Sequence, residues 1–143
     1  MVIKFNFGKI SAMDKITFKD FGYAEVFVFK NFLITQIAEG IVVGEGHVRY
    51  LKMFIEKTYG SNPMVYLSNR VNSYSVNPLV YHHFPEIPNL LGIGVVAYSP
   101  LTIQNIRIEK KFSKVPFQAF DKIEQAVIWS DYLVTAHIKK HLV

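Results

Sequence analysis

The chain contains no cysteine. Disulfides, thiolate zinc sites and a cysteine nucleophile are therefore excluded. Acidic residues are few, 11 against 16 lysines and arginines, for a net charge of +5 and a pI near 9.4. No apolar run is long enough to span a membrane, since the longest is interrupted by Gly92 and Gly94, and no transmembrane segment is expected. The opening Met1-Val2-Ile3-Lys4-Phe5-Asn6-Phe7-Gly8 is too short and too interrupted for a signal-peptide core, so a cytoplasmic location is the expectation. No Gly-x-Ser-x-Gly elbow is present. Neither an RNA-binding signature nor helix-turn-helix punctuation accompanies the basic charge, so nucleic acid is not an expected partner; anionic lipid and an acidic protein stay compatible with it.

What is abundant is apolar. Half of the 143 residues are hydrophobic and 19% are charged, which excludes an intrinsically disordered chain and fits one domain with a single good core. Twelve Phe and eight Tyr suit strand and core packing.

The hydrophobic pattern changes along the chain. Ile3, Phe5 and Phe7 alternate with Lys4 and Asn6, so residues 1–13 are expected to form an arm or an extra edge strand. Residues 16–19, 24–29 and 32–38 read as three strands joined by the turns at Phe21-Gly22-Tyr23 and Lys30-Asn31, an antiparallel meander. Gly44-Glu45-Gly46 lacks the third glycine and the preceding strand of a dinucleotide site. A helix is expected from Glu45 to Tyr59, burying Val48, Leu51 and Ile55, with Gly60 in the left-handed cap position. From Met64 buried strands alternate with helices. The strand Met64-Val65-Tyr66-Leu67 leads into a polar loop from Ser68, and a helix opens at Asn77-Pro78. A doubly covered strand follows from Leu91 to Tyr98, and another helix opens at Ser99-Pro100. The glycines at 92 and 94 let a helix or a ligand approach the backbone. A short strand, Val115 to Phe120, precedes a long helix opening at Asp121, where Asp121 and Glu124 stand at capping-box spacing. The reading is a single-domain α/β fold with a mixed sheet and about four helices.

Three segments resemble the STAS domain, in its SpoIIAA-like branch grouped with the CRAL-TRIO fold. They are Met64-Val65-Tyr66-Leu67-Ser68 with its loop to Pro78, Gly94-Val95-Val96-Ala97-Tyr98 before Ser99-Pro100-Leu101, and Val115-Pro116-Phe117-Gln118-Ala119-Phe120 leading to Glu124-Gln125-Ala126-x-x-Trp129. The resemblance covers about Asp14 to Leu133 and implies one such domain over residues 14–143. It also implies a non-enzymatic regulatory module that binds a protein partner and can pair with a second copy of itself. In anti-sigma-factor antagonists of this family a serine after the comparable strand is phosphorylated; by position Ser73 or Ser75 matches, without the family's neighbouring Asp and Gly.

The candidate interaction face is therefore the loop 68–77 and the helix after it, with Asn69, Arg70, Ser73, Ser75 and Asn77 as candidate residues. A phosphate on either serine would meet a helix N-terminus, with Arg70 as its partner. Arg107, Lys110, Lys111 and Lys114 are spaced to share one helix face, a candidate anionic-surface site. The alternative is a small carrier or sensor of an apolar or anionic, lipid-like ligand. His82 and His83 diverge on a helix, and the pair at i, i+4, His137 and His141, lacks a nearby carboxylate. No metal, cofactor or catalytic residue is expected.

Overall fold

The computed structural model describes residues 16–142; the expected arm at residues 1–13 lies outside them. The strands are β1 (Thr17–Asp20), β2 (Ala24–Val28), β3 (Phe32–Ile37), β4 (Val42–Val43), β5 (Met64–Arg70), β6 (Ser75–Val76), β7 (Leu90–Ala97) and β8 (Phe117–Phe120). The α-helices are α1 (Glu45–Tyr59), α2 (Pro100–Lys110) and α3 (Ile123–Lys140), and a 3-10 segment runs over Pro78–Glu86. Six strands form a mixed sheet in the order β1-β2-β3-β5-β7-β8, while β4 and β6 pair separately. The first three strands are an antiparallel meander, and every later pairing in the large sheet is parallel.

From β3 onward the sheet grows in one direction. Crossovers of one hand then place their connections on one face, and α1, the 3-10 segment and α2 share that side. There Val48, Leu51, Ile55, Val80, Tyr81, Phe84 and Ile106 pack with Leu33, Met64, Tyr66, Ile93 and Val95. The other face is covered by α3, whose Ile123, Ala126, Val127 and Val134 meet Ile34, Val65, Leu67 and Val96. A strand with helices on both sides must be apolar on both, which is why β5 and β7 read as continuous hydrophobic runs.

Four local expectations need correction. The segment after Asn77 is 3-10 and not α-helical: Pro85 lies inside it, and in an α-helix its ring would clash with the carbonyl of residue 81 and remove a hydrogen bond. Asn77 does cap it, its Oδ1 accepting from the Leu79 amide at 3.1 Å. Gly60 ends α1 at φ 59°, ψ −122°, a glycine-favoured φ but not the left-handed helical cap. The Asp121–Glu124 capping box does not form, because α3 starts at Ile123 behind Lys122 with no side-chain cap. Finally, α2 ends at Lys110 with Lys111 as its cap residue, so Lys114 lies in the link to β8 and the four cations do not share one helix face.

The strand glycines serve packing. A Cβ at Gly92 would stand 2.8 Å from Trp129 Cη2 and one at Gly94 2.5 Å from Leu67 Cδ2, with Trp129 Cζ3 at 3.3 Å. These positions admit α3 and its tryptophan to the sheet. A ligand has no space there.

Candidate functional site

The strand β5 does not end at Leu67. It continues through Ser68, Asn69 and Arg70, all buried, so the polar loop begins only at Val71. The period of two along a strand then separates the candidates. Asn69 turns toward the side of Gln36, donating to its Oε1 at 2.8 Å and accepting from Tyr98 Oη at 2.6 Å. Ser68 and Arg70 turn to the opposite face, beneath α1, α2 and the 3-10 segment. Asn69 and Arg70 are thus not loop-surface residues.

Arg70 is 6% exposed and Glu109 of α2 is 4% exposed. They form a bidentate ion pair in which Nη1 donates to Oε2 at 2.7 Å and Nη2 donates to Oε1. Tyr81 Oη also donates to Glu109 Oε1. The guanidinium carbon lies 5.0 Å from the centroid of the Tyr74 ring, a cation–π distance. Tyr74 Oη in turn pairs with Ser68 Oγ at 2.6 Å, and Tyr66 Oη with Thr35 Oγ1 at 2.8 Å. Burial alone would favour the neutral guanidine, but the bonds to Glu109, with Tyr74 and Tyr81, more than reverse it and hold Arg70 charged. Its Nε is buried without a hydrogen-bond partner.

These groups border a partly enclosed pocket. Its other walls include Phe21, Tyr23, His47, Val48, Phe84 and Ile93, and it leaves about 40 Å³ for the centres of water-sized spheres. That is room for roughly three waters. His47 Nδ1 accepts from the Gly44 amide at 2.9 Å, so the incomplete Gly-x-Gly sequence serves to open α1.

The chemistry on offer is hydrogen-bond donation. Two of the hydroxyl contacts join hydroxyl to hydroxyl. Burial pushes the phenols of Tyr66, Tyr74 and Tyr81 above their ordinary value and that of Tyr23 up to about 12. All four stay protonated at neutral pH. An alkaline limit follows. Unfolded tyrosine ionises near pH 10, below these folded-state values, so the unfolded chain releases its protons first as pH rises. The stability these phenols provide is complete below about pH 10 and is lost as pH climbs through the folded-state values. Absorbance at 295 nm followed beside circular dichroism is expected to show these phenolates appearing together with unfolding; ionisation near pH 10 with an intact spectrum would contradict the burial.

Ser73 and Ser75 are exposed, on a segment tied to residues 37–41. The Gly40 amide donates to the Ser73 carbonyl at 2.9 Å and the Ser75 amide to the Ile41 carbonyl at 3.0 Å. Asn72 Nδ2 donates to the Ile37 carbonyl at 3.0 Å. Outside this segment a surface groove is lined by Tyr74, Ser75, Val76, Pro78, Asn105, Ile108 and Glu109. The structure thus brings Ser75 beside α2 and buries Arg70 beneath the loop, paired to Glu109. Arg107, Lys110, Lys111 and Lys114 are all exposed.

Sequence reasoning missed Glu109, Tyr74 and Tyr81. In the sequence Glu109 stands among Arg107, Lys110 and Lys111, where an acidic residue looks like a solvated one. The available signal was its position three residues after Ile106, on the same side of the helix. Among the described residues no group of three histidine or acidic side chains is placed to hold a metal ion, and no helix is long and apolar enough to cross a membrane.

No family model and no curated protein matches the chain. A solved structure described as an uncharacterized DUF3478-family protein with a SpoIIAA-like fold, from Shewanella loihica, is similar at 10% identity. The likeness covers 86% of this chain and 99% of that one, with a TM-score of 0.47.

Proposed function

We propose that this protein is a non-enzymatic, STAS-like interaction module that docks an acidic protein segment in the groove between residues 74–78 and α2. The supporting observation is the state of α2. Of its eleven residues only Ile106 and Glu109 are buried, while Leu101 is 66% and Ile108 53% exposed. Val71 and Tyr98, one residue past the paired ends of β5 and β7, are exposed at the same end of the sheet. Exposed apolar side chains beside Arg107 and Lys110 suit a partner that carries apolar anchors and negative charge. Glu109, the one acidic residue lining the groove, is already occupied by Arg70 and Tyr81.

Ser75 lies in the groove and Ser73 does not line it. A phosphate on Ser75 adds nearly two negative charges and would repel an acidic partner. The test is a photo-crosslinking residue placed at Ile108, with Met53 on α1 as the control position, in cells that make the protein. A defined acidic protein is expected to crosslink at position 108 and not at 53. The yield should fall severalfold with Ser75→Asp and with added salt, and hold with Ser75→Ala. Indifference to Ser75→Asp, or adducts made only with a second copy of the chain, would overturn the acidic-partner reading.

A further inference from the structure

The helix α3 meets the sheet through Ile123, Ala126, Val127 and Val134, which turns its other side to solvent. Gln125, Ile128, Tyr132, Thr135 and Lys139 are all exposed there, Ile128 by 50% and Tyr132 by 68%. Residues three and four apart share one side of a helix, so these five form a single stripe. Asp121, exposed just ahead of the helix, extends the stripe by one more step. From Asp121 to Lys139 the steps are 4, 3, 4, 3 and 4 residues, the same from either end. The side chains follow a matching order: acid, amide, apolar, apolar, hydroxyl, base.

We propose that this stripe is a self-association face, on which a second copy of the chain lays its own α3 antiparallel about a two-fold axis at the level of Ser130. Ile128 then meets Tyr132 of the second copy, Gln125 meets its Thr135, and Asp121 meets its Lys139, each contact being made twice. A two-fold interface requires self-complementarity of this kind. A parallel copy would set Asp121 against Asp121 and Lys139 against Lys139, and like charges in register are repulsive. Antiparallel alignment also brings the basic last turn, with Lys139 and Lys140, over the first turn that carries Glu124, and opposes the two helix dipoles. The contact is small. Eighteen residues of helix are about 27 Å long, and one side of such a helix buries less than the roughly 800 Å² per partner of a standard stable interface. A reversible dimer, half formed at about 10–100 μM, is therefore expected. Since α3 and α2 cover opposite faces of the sheet, pairing there leaves the groove beside α2 open, and the dimer stands whether or not that groove has a partner.

Sedimentation velocity over about 5 to 500 μM brackets that range. The sedimentation coefficient is expected to climb with concentration from the monomer's value toward the dimer's. Tyr132→Asp should hold the chain monomeric throughout with an unchanged circular dichroism spectrum. Met53→Asp, at an exposed position of α1, should leave association as it was. Disulfides read the register, because the chain has no cysteine of its own. When Gln125→Cys and Thr135→Cys proteins are mixed and oxidised, the disulfide between positions 125 and 135 is expected to outnumber both homodisulfides well beyond random pairing. A monomer at every concentration, an association unmoved by Tyr132→Asp, or disulfides in random proportion or chiefly between like positions would overturn the proposal. Should Tyr132→Asp fail to fold, the disulfide comparison decides, since it leaves Ile128 and Tyr132 in place.

Discussion

Replacing Glu109 by leucine is expected to remove about 3–5 kcal/mol of stability, measured by urea denaturation, although the side chain lies on a helix with few buried residues. The loss comes from Arg70. With Glu109 gone, the guanidinium keeps its charge in a space with no counterion, and Tyr81 Oη loses its acceptor. Breaking one side of a buried pair carries that cost, whereas replacing both sides with apolar residues is often neutral or favourable. The double variant Arg70→Met with Glu109→Leu should therefore recover most of the loss. A single variant that loses less than about 1 kcal/mol, as for an exposed pair, would show that water reaches Arg70. The pair joins β5 to α2 across 39 residues, so the single variant should also loosen the wall between the pocket and the outer groove.

Substituting Gly94 by alanine should be costly for the opposite reason, too much matter in place of too little. The new methyl would stand 2.5 Å from Leu67 Cδ2 and 3.4 Å from Phe120 Cε2, and Leu67 is fully buried. Overpacking of this kind costs about 1–3 kcal/mol. Shortening the obstructing side chain with Leu67→Val should return part of the loss, a coupling that independent sites would not show. Gly92→Ala presses on Trp129, the single tryptophan, so its fluorescence maximum is expected to shift as the ring is displaced. A Gly94→Ala protein as stable as the original would mean that the Leu67 side chain gives way without cost.

Much of the architecture was legible because it rests on local periodicity. The meander followed from alternation and two turn sequences, and α1 runs over the expected Glu45–Tyr59. The runs of β5 and β7 announced strands covered on both faces. Ser99 behaves as expected for a cap, its Oγ accepting from the Thr102 amide at 3.2 Å. Each of these depends on residues within one turn or one pleat of one another.

The candidate site was legible only as a region. Ser68, Asn69 and Arg70 look like the start of a loop because polar residues ordinarily end a buried strand. Here each meets a partner supplied by another part of the chain: Tyr74 for Ser68, Gln36 and Tyr98 for Asn69, Glu109 for Arg70. Such pairings make burial affordable, and no window of sequence contains most of them. The amino-acid order by itself determined the element types, the apolar faces and the absence of thiol chemistry, because these depend on composition and short-range spacing. Only the tertiary structure decided that β5 carries a charge into the core and that Glu109 meets it. Those outcomes depend on which distant groups the sheet order brings within hydrogen-bond reach.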